Sequence, residues 1–182
     1  MDAIEAILKR KSIRSYLPDP IPREKLMRVL EAGRAAPSAE NLQPWYFVVV
    51  TDEEKRRRIT KACKLARFLR ECPVIIVGCG DRRRSPRWYA IDTAIAMENM
   101  VIAATAEGLG TCWIGSFEEE KVKEILKIPE NFSIISLLAV GYPSRKLDFL
   151  GSLLHILRRR KNLNKIVGFD VYGQPRGLYQ SR

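Results

Sequence analysis

The chain has one histidine in 182 residues, His155 in "LLHIL". A Ser-His-Asp or Cys-His catalytic group needs an imidazole beside its nucleophile, and the apolar neighbours of His155 suit a core or interface position instead. Four cysteines, Cys63, Cys72, Cys79 and Cys112, form no C-x-x-C pair. A structural zinc site is therefore not expected, and the thiols read as buried groups in a reducing cytoplasm. No apolar run reaches the roughly 18 residues that a spanning helix needs. The opening MDAIEAILKRK places acids where a secretory leader carries cations, so neither export nor stable membrane insertion is expected. A Walker phosphate loop is missing, and "GCGDRR" and "GLGTCW" lack the third glycine of a dinucleotide fingerprint. No pair of carboxylates stands out for acid–base work.

What is abundant is positive charge, a formal +11. Much of it lies in Arg56-Arg57-Arg58, Arg82-Arg83-Arg84 and Arg158-Arg159-Arg160-Lys161. Such runs can attract phosphate or nucleic acid. Here they are scattered, and no aromatic residues alternate with them as a single-strand platform requires. Solvated surface is the expected reading of the first two runs, and nucleic acid is not an expected partner.

The hydrophobic pattern alternates between helix and strand periods. Residues 2–10 suggest a helix with Ile4, Ile7 and Leu8 on one side. "PREKLMRVLEAGRAAP" has Pro22 at a helix start, a Leu26, Val29 and Leu30 stripe, and Pro37 as a stop. "YFVVV" at 46–50 and "PVIIVGC" at 73–79 read as strands, the second buried on both faces. Between them Thr51 and Glu54 offer a capping box for a basic helix. The segment from Tyr89 to Gly110 is apolar on nearly every side, an enclosed helix capped by Gly108. "TCWIG", "EEEKVKEIL" and "SIISLLAVGYP" then give strand, surface helix and central strand. One α/β or α+β domain spanning 1–182 is expected.

Most of the polar chemistry gathers in "RKSIRSY", residues 10–16, where Arg10, Lys11 and Arg14 surround Ser12. Cations suit the carboxyl end of a helix, and that alone would explain them. The same groups could instead form an anion site, with two forked guanidinium donors, a point charge and a hydroxyl converging on one phosphate.

"RKSIRSY", "EAGRAAPSAENLQPWYFVVV", "AIDTAIAMENMVIAATAEGLGTCWIGSF" and "LLAVGYP" follow one another in this order. Together they resemble the nitroreductase family of flavin enzymes, from about residue 3 to 143 and again near "RRRKNLNKIVGFDVYG". The resemblance implies an α+β fold with a central mixed β-sheet surrounded by helices, built as an intertwined homodimer with FMN at the subunit interface. It places Arg10, Lys11 and Ser12 on the FMN phosphate and ribityl tail, and Arg14 at the pyrimidine edge of the flavin. It brings Pro37, Ser38 and Asn41 to the ring from the other subunit, with Trp45 as a core anchor. The backbone of Ile114 and Gly115 would face the ring, and Arg158 and Arg160 would complete the phosphate site. The surplus apolar face of helix 89–107 would be covered by the second subunit.

The implied activity is an FMN-dependent oxidoreductase: hydride passes from NADH or NADPH through the flavin to a nitroaromatic, quinone or similar small acceptor, by ping-pong. No side chain is nominated as acid or base. The alternatives are a specialised relative performing dehalogenation, flavin breakdown or metabolite dehydrogenation, a basic nucleic-acid-binding protein, and a membrane-surface protein using the apolar insert beside Arg158 to Arg160. Two departures from the family stand out. The insert 144–157 is long and apolar, and the connector "RRRSPR" is brief, leaving a broad opening to the site.

Overall fold

The computed structural model describes residues 1–144 and 160–173. The chain groups into two compact units, Met1–Asp148 and Phe149–Arg182. The first unit runs α1 (Ala3–Lys9), α2 (Arg23–Arg34), β1 (Trp45–Val50), α3 (Glu53–Ala62), β2 (Val74–Asp81), α4 (Tyr89–Ala106), β3 (Gly110–Ile114), α5 (Glu119–Leu126) and β4 (Phe132–Gly141). In the second unit the described residues form a short 3-10 turn, Leu163–Lys165, amid exposed chain. His155 and all but the first residue of the apolar insert 144–157 lie outside the described residues.

The strands form one sheet in the order β1-β2-β4-β3, and every neighbouring pair is antiparallel. The α+β expectation therefore holds, with a correction to its mixed sheet. Among the described residues, parallel pairing is confined to an isolated bridge between Ser12 and Thr111. The apolar runs in β2 and β4 arise because both strands are interior and covered on both faces. Alternate side chains point to opposite sides of a strand. Ile75 and Val77 accordingly join Leu137, Ala139, Ile59 of α3 and Val122 of α5 in one cluster. Val74 and Ile76 join Leu138, Val140, Val29 of α2 and Met97 and Met100 of α4 in another.

α4 lies against the sheet with Met97 directly over Gly78. A β-carbon built on Gly78 would fall 2.1 Å from the Met97 Sδ, so any larger residue there would force the buried Met97 side chain to move. α4 stops at Ala106, and Gly108 follows with φ +77, as the capping reading expected. Within one chain the helix is not enclosed on every side: Ile91 and Ile95 remain 52% and 37% exposed. The α3 cap also differs from expectation. Asp52, not Thr51, is the N-cap, and its carboxylate accepts the Lys55 N–H at 2.8 Å. Glu54 is turned instead to Arg57, since a carboxylate one residue closer to the helix serves the orphan amides better than a hydroxyl. Among the described residues no helix is long and apolar enough to cross a membrane. All four cysteines are free, three buried and Cys63 half-buried.

Candidate functional site

The candidate site begins where α1 stops. Asp2 caps the helix by accepting the Glu5 N–H at 2.8 Å, and Lys9 pairs with Glu5. Arg10 is the C-cap: its N–H reaches the Ala6 carbonyl at 2.9 Å while its backbone turns extended, φ −58 and ψ 137. From there the chain is laid on the edge of β3. The Ile13 N–H donates to the Thr111 carbonyl at 2.8 Å, and Leu17 N–H to Tyr142 O at 2.9 Å. Between these, the buried Tyr16 donates its hydroxyl to Ile13 O at 2.7 Å. The cationic stretch is thus held at both ends by backbone pairing.

The cations in this stretch are not equivalent. Lys9 is already paired with Glu5, which satisfies the helix-end explanation. Arg10 is half-buried, and its buried Nε has no hydrogen-bond partner among the described residues. An unmet buried donor costs about 1–3 kcal/mol, more when it carries charge. A guanidinium kept in that state fits an anion brought by a ligand. Lys11 is exposed, while Ser12 and Arg14 are half-buried.

β3 carries the second part of the site. Three residues beyond Thr111, about 10 Å along a strand, stand Ile114 and then Gly115. Ile114 is buried, and its carbonyl accepts the Ser136 hydroxyl at 3.0 Å. Gly115 is exposed, and a β-carbon there would meet nothing within 4 Å. The space beside this turn is open to a flat ligand.

The loop between α2 and β1 holds Pro37, Ser38 and Asn41. Glu40, Asn41 and Gln43 all adopt left-handed backbone, φ 51, 55 and 47. Such conformations cost non-glycine residues of order 1 kcal/mol each and persist only where the surroundings impose them. The surroundings are visible here. Ser38 Oγ accepts the Gln43 N–H at 2.9 Å, and the Ala39 N–H is shared by both carboxylate oxygens of Asp92 at 3.3 Å. Arg84 Nε donates to Leu42 O, and the Asp81 N–H to Pro44 O at 2.8 Å. Asp92 and Gln43 escaped the sequence reading. The available signal was an acidic residue on the buried face of an otherwise apolar helix, and Asp92 is only 4% exposed. Trp45, expected in the core, is half-buried at the start of β1.

The structure therefore brings Arg10–Arg14 and Ile114–Gly115 to one strand, and fixes the loop 37–44 on α4 through Ala39 and on β2 through Pro44. Two sizeable cavities, of about 580 and 550 Å³, lie elsewhere. One is lined by Tyr16, Arg56 and Arg70, the other by Phe47, Cys79 and Ile128, and the candidate residues belong to neither. Arg160 is exposed in the second unit, and Arg158 lies outside the described residues; their assignment rests on the sequence motif.

The sequence model of the nitroreductase family matches residues 7–66 and 62–142, which contain Arg10–Arg14, Pro37–Asn41 and Ile114–Gly115 but not Arg158 or Arg160. The chain belongs to the nitroreductase family. This nitroreductase-family chain is 32% identical to an NADH dehydrogenase of Thermus thermophilus over 182 aligned residues, covering 80% of itself and 89% of the relative. It is 29% identical to an NADPH-flavin oxidoreductase of Vibrio harveyi, covering all of itself and 84% of that protein. Among solved structures, an FMN-dependent nitroreductase of Clostridium difficile superposes with a TM-score of 0.73 at 30% identity, over 87% of this chain and 98% of the other. At the level of the family, the nitroreductase-like chain is an oxidoreductase.

Proposed function

We propose that the protein is an FMN-dependent oxidoreductase that takes hydride from NAD(P)H and delivers it to a small acceptor such as a nitroaromatic or quinone. The observation that carries this reading is the buried, unpartnered Nε of Arg10, beside Ser12 on the edge of β3. A dianionic phosphate supplies an acceptor for this Nε. Arg10, Lys11 and Ser12 would hold the phosphate and ribityl tail of FMN, and Arg14 would stand at the pyrimidine edge of the ring. Positive charge there favours the reduced, more anionic flavin and raises its potential. Gly115 leaves the approach to the ring free of a side chain, and the backbone beside it can donate to the ring nitrogen that takes up hydride.

When bound, FMN supplies the two-electron chemistry, accepting hydride from the nicotinamide and yielding it to the acceptor. The protein orients both reactants in turn within one opening, which makes the kinetics ping-pong. The strained loop at Ser38–Asn41 would face the ring from a second subunit. A homodimer is supported by the apolar surface left on α1 and on α4, which pack together: Ile4 and Leu8 are 67% and 68% exposed, beside the open Ile91 and Ile95. The test is the absorbance spectrum of the purified protein, followed by anaerobic titration with each nicotinamide. A flavin spectrum that bleaches on titration is expected. A protein that stays colourless with added FMN would refute the reading.

A further inference from the structure

We propose that Arg82, Arg83, Arg84 and Arg87 form a docking site for the phosphorylated adenosine end of NADPH and make it the preferred hydride donor. The inference rests on the oxidoreductase reading and adds to it the identity of the co-substrate. Elsewhere in the described residues some exposed arginines close on carboxylates, Arg28 on Glu107, Arg34 on Glu31 and Arg57 on Glu54, while Arg23, Arg58, Arg67 and Arg70 stand singly without an ion pair. The turn between β2 and α4 differs in gathering four arginines within six positions. All four of its guanidinium groups are exposed, and among the described residues none forms an ion pair.

They are nevertheless held in place. Arg82 donates to the Glu130 carbonyl and Arg84 to the Leu42 carbonyl, contacts that orient a guanidinium without cancelling its charge. Arg87 lies over the Trp88 ring, 5.2 Å from its centroid. The nearest acid, Asp81, is turned inward: its Oδ1 takes the Arg83 and Arg84 backbone N–H groups at 2.9 and 3.3 Å and the Asn131 amide at 3.1 Å. The result is a turn with four exposed cations, three of them oriented by neighbouring groups and none in an ion pair among the described residues.

Its position selects the ligand. The Arg84–Leu42 and Asp81–Pro44 contacts fasten this turn to the strained loop that the proposed function sets against the flavin. The reactant that must reach the flavin and also carries phosphates is the nicotinamide dinucleotide. Its pyrophosphate matches two of the guanidinium charges. The remaining two suit the additional dianionic 2′-phosphate of NADPH, where charge-assisted, forked hydrogen bonds are strongest. Field from the patch would also speed encounter, and salt would weaken it.

The test uses FMN-loaded wild type and the double variant Arg83→Ser/Arg87→Ser. Anaerobic stopped-flow reduction by NADPH and NADH is compared, and calorimetry is run with 2′,5′-ADP and with 5′-AMP. For wild type, KM for NADPH at least about tenfold below that for NADH is expected, the scale of one lost charge-assisted contact. Tighter binding of 2′,5′-ADP than of 5′-AMP should accompany it, and both preferences should collapse in the variant. A holoenzyme reduced equally well by both nucleotides, or 2′,5′-ADP binding that the double variant leaves intact, overturns this inference alone. Reduction by neither nucleotide overturns the oxidoreductase reading and this inference with it.

Discussion

The Ile13 side chain fills the space in which residue 110 would otherwise carry a β-carbon: one built on Gly110 falls 2.6 Å from Ile13 Cγ1 and 2.9 Å from its Cβ. That contact, together with the Ile13–Thr111 hydrogen bond, seats the cationic segment on β3. Replacing Gly110 by valine should cost about 1–3 kcal/mol, the range for overfilling a packed site, and should loosen FMN binding as well. Urea unfolding measures the first effect. Adding Ile13→Ala to Gly110→Val should recover part of the loss; a double variant no more stable than the single would contradict the packing argument.

The open apolar stripe on α4 predicts association. Ile91→Asp combined with Ile95→Asp should give a folded monomer in sedimentation velocity, and wild type is expected to sediment as a dimer. A variant that remains dimeric would place the interface elsewhere.

Stability should fall on the alkaline side. Burial pushes the thiols of Cys72 and Cys79 from 9.0 up to about 12, and that of Cys63 to about 11. It also raises the Tyr16 phenol. Below pH 9 folded and unfolded chains both keep these protons. Between pH 9 and about 11 the unfolded chain releases them while the folded chain retains them, so unfolding gains. Lys123 adds to the trend. Its burial opposes the ammonium, but Glu119, Glu120 and Glu130 outweigh that and hold its pKa above 10.5. Its contribution is complete below 10.5 and disappears as pH climbs past the raised value. Chemical denaturation from pH 7 to 11 should show a decline beginning near pH 9.

The order of helices and strands was legible because β2, β4 and α4 carry long apolar runs whose burial overrides every local alternative. The strand pairing was not. Nothing within "SIISLLAVGYP" says which strands flank it, and the expected mixed sheet proved antiparallel among the described residues, with parallel pairing confined to Ser12–Thr111. Capping was misread by one residue because Thr51 and Asp52 are adjacent and either oxygen could reach the first turn. In the site, Arg10 and Ser12 were readable as a cluster of charge beside a hydroxyl. Asp92 was not, because its partner is a backbone amide 53 positions away. The three left-handed residues of the 38–43 loop escaped for a similar reason: Glu and Gln give no sign that tertiary contacts impose positive φ on them.

Arg14 and Arg10 should separate by phenotype. Arg14→Ala is expected to lower the two-electron potential of the bound flavin while retaining the cofactor. Spectroelectrochemistry or dye-coupled reductive titration measures it. An unchanged potential would remove Arg14 from the ring.

The FMN affinity of apoprotein, compared between wild type and Arg10→Ala by titration of flavin fluorescence, is the most direct measurement. One FMN per chain should bind to wild type. The variant should lose roughly 1.5–3 kcal/mol, about 10- to 150-fold, as expected for a charge-assisted contact to phosphate. Equal affinity in the two proteins would contradict the account at its centre.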